Sequence, residues 1–317
     1  MDLFTHFLVG MVIYTSVFGQ ITTDLLYLAA IFAIMPDFDT FITRPLQRWF
    51  KSKYLEHRGG SHSYVVGIIV SFLVNLVYAP VSGNNFWLGW LIGSLFYGLH
   101  VSMDLLTTTK IPFLFPLSKI EPSFYAEKAG SLFTMILSVV FLAILIPLRR
   151  AGSEESFRSV SSGATIFFAV YYLYRILLKY IVSRNFNENQ MYLPGILPIY
   201  YLIYESEISE KLNLVHVNLI KKSIFGRSWD VFSFDANLTP AEFLLYQQAL
   251  SLCNRDYYRN KWTKIPVISR ENSHLSVRFY FLETAMNGRT MSLSYVYDYE
   301  GGKFEETAQN YGRIKAN

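Results

Sequence analysis

Residues 86–106 read FWLGWLIGSLFYGLHVSMDLL. As far as Leu99 the run is apolar and aromatic, and at about 20 residues a helix of this kind crosses the hydrocarbon layer. Its last turns carry His100 and Asp104, spaced i,i+4, so both side chains leave one helix face about a turn apart. An Asp inside a span costs roughly 2.5–3.5 kcal/mol on insertion scales, and such residues turn inward and carry function. The stretch therefore predicts a membrane helix with chemistry at one end. Gly89 and Gly93 form a small-xxx-small pattern that predicts close helix packing.

Working outward, five more apolar segments appear at 3–18, 25–35, 64–78, 132–148 and 165–181, the second of them short. The whole chain of 317 residues is 52% hydrophobic and 16% charged, with a mean hydropathy of +0.25, too apolar for an ordinary soluble domain. Many of the Tyr and Trp residues lie near the ends of apolar runs, where their rings favour the headgroup layer. The net charge of +4 is spread over several loops, so no nucleic-acid partner is expected. MDLFTHFLVG lacks the basic start and small-residue cleavage site of a secretory signal, and the first segment is expected to stay.

Arg44, Arg48, Lys51, Lys53 and Arg58 follow the second segment, and Lys110, Lys119 and Lys128 follow the fourth. The connections after the first and third carry no Lys or Arg. The positive-inside rule puts the basic loops and the N-terminus in the cytoplasm of a bacterial inner membrane. Arg149, Arg150 and Arg158 fall on the other side and conflict with that assignment.

The expected fold class is mainly α: a polytopic membrane helical bundle over 1–184, an interfacial linker over 185–204, and a small C-terminal α+β domain over 205–317. The linker contains LPGILPIYYLIY, whose prolines and tyrosines suggest a segment lying in the interface. In the tail, SVRFYFLE and TMSLSYVYDYE alternate around Met286-Asn287-Gly288-Arg289, a hairpin pattern. Thr239-Pro240 predicts the start of a helix running to Cys253.

Four of the six histidines fall in the first 100 residues, at segment ends that the topology places on one side. His6 opens the first segment. Asp37 and Asp39 close the second in MPDFD. His57 and His62 lie in HRGGSHS before the third, and His100 with Asp104 ends the fourth. A lone cysteine, Cys253, excludes an intramolecular disulfide and a thiolate cluster. His and carboxylate ligands suit a divalent metal, Zn²⁺ foremost, with Mn²⁺ or Fe²⁺ as alternatives. The metal-ligand candidates are His6, Asp37, His57, His62, His100 and Asp104, enough for two metals, with Asp37 or Asp39 bridging or acting as catalytic base. Arg58 is the candidate clamp for an anionic substrate, joined by Ser63, which with Ser61 is also a candidate helix cap. Glu121 and Glu127 read as solvated loop carboxylates, and His216 and His274 receive no role.

His6 with Gly10, PDFD, HRGGSHS, and His100 with Asp104 together resemble the YdjM family of inner-membrane metal-dependent hydrolases. The resemblance covers about residues 1–150. That family looks distantly similar to zinc-dependent phospholipase C and P1-type nucleases. The resemblance implies that His6, Asp37, His62, His100 and Asp104 are ligands, with Asp37 or Asp39 as base. A second H-x-x-x-E pair and an N-terminal Trp are missing, which implies a two-metal site instead of three zincs.

The resulting expectation is a membrane-bound metal-dependent hydrolase, its partners membrane lipid and an anionic substrate such as a lipid-linked phosphoester. Two other readings are a divalent-cation transporter and a non-catalytic membrane anchor for the C-terminal domain. The one-sided placement of the ionisable groups favours the enzyme, because a transport site sits near the midplane.

Overall fold

A computed structural model describes residues 1–18, 22–39, 41, 49, 52–271, 274–285, 289–298 and 304–314. Arg44, Arg48, Lys51 and the turn at 286–288 lie outside the described residues. The chain divides into two compact units, Met1–Leu178 and Lys179–Asn317.

Each of the six apolar segments forms a helix in the first unit: α1 (Leu3–Val17), α2 (Thr23–Phe32), α3 (Tyr64–Ser82), α4 (Phe86–Leu105), α5 (Leu132–Arg150) and α6 (Glu154–Ser183). The last four are long and apolar enough to cross a membrane, whereas α1 and α2, at 15 and 10 residues, are shorter. Asp2 caps α1 by accepting the Thr5 backbone N–H at 2.9 Å. α1 is buried nearly all round, from Thr5 and His6 to Tyr14 and Thr15, and packs on α2, α4 and α5.

The outer helices are sided the opposite way from those of a water-soluble protein. α3 buries Gly67, Ser71, Asn75 and Ala79, while Ile69, Leu73, Val77 and Val81 are exposed. Small and polar residues inside, with large apolar ones outside, is the pattern expected where lipid removes the hydrophobic drive between helices. Hydroxyls bridge the helices instead: Thr5 Oγ1 lies 2.9 Å from Ser138 Oγ, and Ser16 Oγ lies 3.0 Å from Thr165 Oγ1. The glycines of α4 act as the sequence predicts. A Cβ on Gly93 would stand 2.8 Å from the Phe32 ring, so α2 and α4 approach only because it is absent.

Arg149 reaches Thr23 Oγ1 at 2.8 Å and lies over the Phe157 ring at 5.7 Å. This one of the three arginines in conflict with the charge rule is therefore engaged within the protein. Glu127 departs from the solvated role expected of it. It is fully buried, 3.0 Å from the buried Arg175 Nε, and accepts the Tyr171 hydroxyl at 2.5 Å.

The second unit holds two antiparallel four-stranded meanders. One is β1 (Gln190–Pro194), β2 (Tyr200–Ser209), β3 (Leu214–Ser223) and β4 (Ser228–Asn237). The other is β5 (Lys264–Glu271), β6 (His274–Phe281), β7 (Arg289–Asp298) and β8 (Phe304–Arg313). Between them run α7 (Pro240–Cys253) and the short α8 (Tyr257–Lys261). α7 starts where the sequence predicts, and Thr239 and Glu242 form a capping box there. Residues 185–204, expected as an interfacial linker, hold β1 and half of β2, and Glu205, the expected boundary, pairs with Gln190 and Asn218. Two prolines and a tyrosine cluster read as an interfacial segment, but Pro194 ends an edge strand and Pro198 sits in the following turn, both places that tolerate proline.

Candidate metal centre

The i,i+4 pair on α4 starts the site. His100 and Asp104 are fully buried and project from one face, and His100 Nδ1 lies 2.8 Å from the Ala33 carbonyl oxygen at the end of α2. A carbonyl only accepts, so Nδ1 carries the proton and Nε2 presents its lone pair inward. Asp37 arrives from the short 3-10 turn Met35–Phe38, which Pro36 allows at its first turn.

His62 arrives from the loop between that turn and α3. The loop is folded tightly: Arg58 has a left-handed φ of 58°, and a Cβ on Gly59 would stand 2.6 Å from the Glu56 carbonyl oxygen. Gly59 is therefore required for close approach. The Tyr97 hydroxyl donates to the Ser61 carbonyl at 2.6 Å and pins the loop to α4.

Side chains from three elements far apart in sequence converge here: Asp37, His62, and the α4 pair His100 and Asp104 offer ligand atoms that all lie within 4.8 Å of one another. His62 Nε2 is 3.2 Å from His100 Nε2 and 3.4 Å from both Asp37 Oδ1 and Asp104 Oδ2, and His100 Nε2 is 3.8 Å from the same two oxygens. Ligands at 2.0–2.1 Å around a tetrahedral cation stand about 3.3 Å apart, from the tetrahedron's edge-to-radius ratio. The donor set and its spacing thus fit a divalent cation. Asp104 Oδ2 is buried without a hydrogen bond, an arrangement that costs stability unless a cation completes it.

Asp39 stands behind this cluster. It accepts from His57 Nδ1 at 2.7 Å, the Arg58 backbone N–H at 3.1 Å and the Ser61 hydroxyl at 2.5 Å. The Ser61 hydroxyl has one proton and directs it to Asp39, so toward His62 Nδ1, 3.1 Å away, it accepts. His62 Nδ1 is then the donor, and its Nε2 is turned to the cluster as that of His100 is. Burial favours the neutral carboxyl of Asp39, yet hydrogen bonds from His57 and Ser61 hold it below the usual carboxylate range. For Asp37, burial pushes up, but His62 and the charges of His100 and His6 prevail, and the net direction is down. Burial lowers the pKa of His62, and its bonds to Asp104 and Asp37 outweigh that and raise it.

The other predicted residues are placed as follows. His6 stacks on the His100 ring, centroids 3.8 Å apart, and its Nε2 is 3.2 Å from Asp104 Oδ1, which the Met1 amino group also meets. Asp104 thus turns one oxygen toward His6 and the other toward the four-residue cluster. His57, one-third exposed, is drawn away to Asp39. Arg58 points inward. Its guanidinium donates to Thr109 Oγ1 at 2.6 Å and the Met1 carbonyl at 3.1 Å, with Nε 3.5 Å from Asp104 Oδ2. Ser63 caps α3, accepting the Val65 N–H at 3.2 Å and donating to the Phe115 carbonyl at 2.6 Å. Ser63 thus takes the capping role that the sequence offered for it, and the turn at Arg58 aims the guanidinium at the protein.

His216, given no role from the sequence, bonds to Asp235 across β3 and β4. The signal was the alternation of both strands, which required their register to be read. Tyr97 and Thr109 also support the site and carried no signal beyond their positions.

The family model of the YdjM inner membrane protein matches residues 1–184. Comparison with curated proteins and with solved structures gave no match.

Proposed function

Because the chain belongs to the YdjM inner membrane protein family over residues 1–184, we propose that it is a membrane-bound metal-dependent hydrolase acting on a phosphoester carried by a lipid. The observation that carries this reading is the convergence of Asp37, His62, His100 and Asp104 from three separate elements onto one cation-sized space. A bound divalent cation, Zn²⁺ foremost, supplies a Lewis acid for a phosphoryl oxygen and brings the pKa of water down toward about 7.

The chain's own residues divide the remaining work. His100 and His62 have their tautomers set by the Ala33 carbonyl and by Ser61 with Asp39, so their Nε2 atoms are held ready as ligands. Asp104 turns its other oxygen toward His6 and the Met1 amino group, and would offer a ligand on that side to a second cation only in place of that amino group. Asp37 is the least buried of the four, 14% exposed against none for the others, and is the group able to accept a proton from water at the rim. Asp39, committed to three donors, positions His62 instead of acting as base. Arg58 balances the charge of Asp104 from behind. Beside Asp37 the rim is apolar and exposed at Phe38 and Phe41, which supports an amphiphilic substrate. The basic loops support a cytoplasmic site and N-terminus.

The test is metal content of the detergent-purified protein by inductively coupled plasma mass spectrometry, with His62→Ala and Asp104→Asn compared at matched folding. Loss of metal in both supports the centre. Unchanged stoichiometry in both refutes it. Metal-dependent release of phosphate from phospholipid or prenyl phosphate in proteoliposomes, abolished in Asp37→Asn, then tests hydrolysis, and its absence across both substrate sets refutes the enzymatic reading.

A further inference from the structure

One end of the first sheet of the second unit carries a feature that the metal centre does not use. The β1–β2 turn reads GILPIY over 195–200, and the end of β3 with the β3–β4 turn reads KKSIFGRSW over 221–229. The antiparallel order puts both at one end of the sheet, and a hydrogen bond from Ile224 N–H to the Ile199 carbonyl at 3.1 Å holds them side by side. Neither stretch contains an acidic residue, while Lys221, Lys222 and Arg227 are basic. The apolar side chains there face solvent: Phe225 is 75% exposed, Leu197 47% and Trp229 42%, with Ile199 and Ile224 also exposed.

This tip is built firmly. The Ser223 N–H donates to the Arg227 carbonyl at 2.8 Å, the Gly226 N–H to the Ser223 carbonyl at 3.0 Å, and the Phe225 N–H to Ser223 Oγ at 3.1 Å. Gly226 adopts a φ of 83°, which favours glycine. Lys221 Nζ lies 4.1 Å from the Tyr200 ring centroid and 5.7 Å from that of Trp229, so its ammonium is held at the aromatic faces of the tip. The other end of the sheet has the opposite sign, with Glu207 and Glu210 on β2 and its following turn and Asp235 on β4.

We propose that this tip is a docking surface for an anionic phospholipid bilayer. Exposed aromatic and branched side chains enter the headgroup layer while Lys221, Lys222 and Arg227 meet lipid phosphates. The match is one of charge and apolarity together: a basic, acid-free tip with a Trp and a Phe is the composition that interfaces select. The bilayer is also within reach. α6 ends at Ser183 and β1 begins at Gln190, and at about 3.4 Å per extended residue the tether and β1 allow the tip no more than about 40 Å from the end of the helix. Tethering at such a distance raises the effective concentration of the membrane so far that weak contacts suffice. Docking would hold the C-terminal unit against the surface that the family's membrane domain occupies.

The test uses the full chain in lipid nanodiscs, with Cys253→Ala and a nitroxide placed at Ser228→Cys in the tip or at Lys211→Cys at the opposite end. Collision with oxygen and with a water-soluble nickel complex is read by electron paramagnetic resonance. In discs containing phosphatidylglycerol, the label at 228 should gain oxygen contact and lose nickel contact, while the label at 211 stays open to nickel. Lys221→Gln, Lys222→Gln and Arg227→Gln together should return the label at 228 to water with no change in thermal unfolding. Equal nickel access at 228 and 211 overturns the proposal. So does nickel protection at 228 that persists in lipid-free amphipol, since a protein partner would then cover the tip.

Discussion

Asp39→Asn separates a positioning carboxylate from a ligand or a base. In the native loop Asp39 accepts from His57, the Arg58 backbone N–H and Ser61 at 2.7, 3.1 and 2.5 Å. Asparagine keeps one acceptor oxygen and turns an amide donor toward the rest, so at least one charge-assisted bond, worth about 1.5–3 kcal/mol, is lost. Ser61 can then accept from the introduced amide and no longer holds His62 Nδ1 as the donor. Loss of such an outer partner reduces metal affinity roughly 10–100-fold, or about 1.4–2.8 kcal/mol at 1.4 kcal/mol per decade. Competition between the purified protein and a chromophoric chelator for Zn²⁺ measures this directly. The expected result is full stoichiometry at weaker affinity. Affinity equal to wild type would show that the Ser61 relay does not orient His62, and loss of a whole equivalent would make Asp39 a ligand. Either result refutes the assignment.

His57→Ala is expected to retain its full metal complement in the mass-spectrometric assay, because His57 faces Asp39 and not the cluster; a lost equivalent would contradict the geometry. Glu127→Leu or Arg175→Leu alone should destabilise the protein by about 3–5 kcal/mol by leaving a buried charge unpaired, whereas the double variant should recover most of that in thermal unfolding in nanodiscs. Thr239→Ala should cost about 1 kcal/mol through loss of the α7 cap, read from hydrogen exchange of its first turn. Burial pushes the Cys253 thiol up to about 11. Alkylation at pH 8 should therefore run about two orders of magnitude slower than for the unfolded thiol, whose pKa is about 8.5. A raised thiol pKa means that the unfolded chain loses its proton first. Its contribution to stability is accordingly present below about 8.5 and declines as pH rises toward 11, so a pH-independent alkylation rate between 8 and 10 would contradict the burial.

The helices were legible because lipid imposes a simple rule on length and apolarity, and five of the six segments are found within a few residues of their predicted ends, whereas the sixth begins eleven residues earlier than expected, at Glu154, because its first turns are polar. Local chemistry was legible too: Thr239 and Glu242 are three residues apart and cap one helix. The errors share a cause. Glu127 reads as a loop carboxylate because its partner, Arg175, lies 48 positions later on a helix whose rotation the sequence does not fix. The strands within 193–204 are missed because a strand is recognised by its partner, and β2 pairs with β3 only once the chain turns at 210–213. Within HRGGSHS the two histidines are equivalent by composition. The left-handed backbone at Arg58 and the tight approach at Gly59 decide that His62 faces inward and His57 outward.

The Glu127–Arg175 pair also constrains the order of biogenesis. The chain is made from its N-terminus, so Asp37, His62, His100 and Asp104 are all synthesised before α6 is translated. Arg175 alone carries an insertion penalty of roughly 2.5–3.5 kcal/mol at a helix centre, and Glu127 precedes it in the chain, ready to neutralise it. A nascent chain halted between α4 and α6 already contains every residue of the cation-sized cluster but not the arginine that pairs with Glu127.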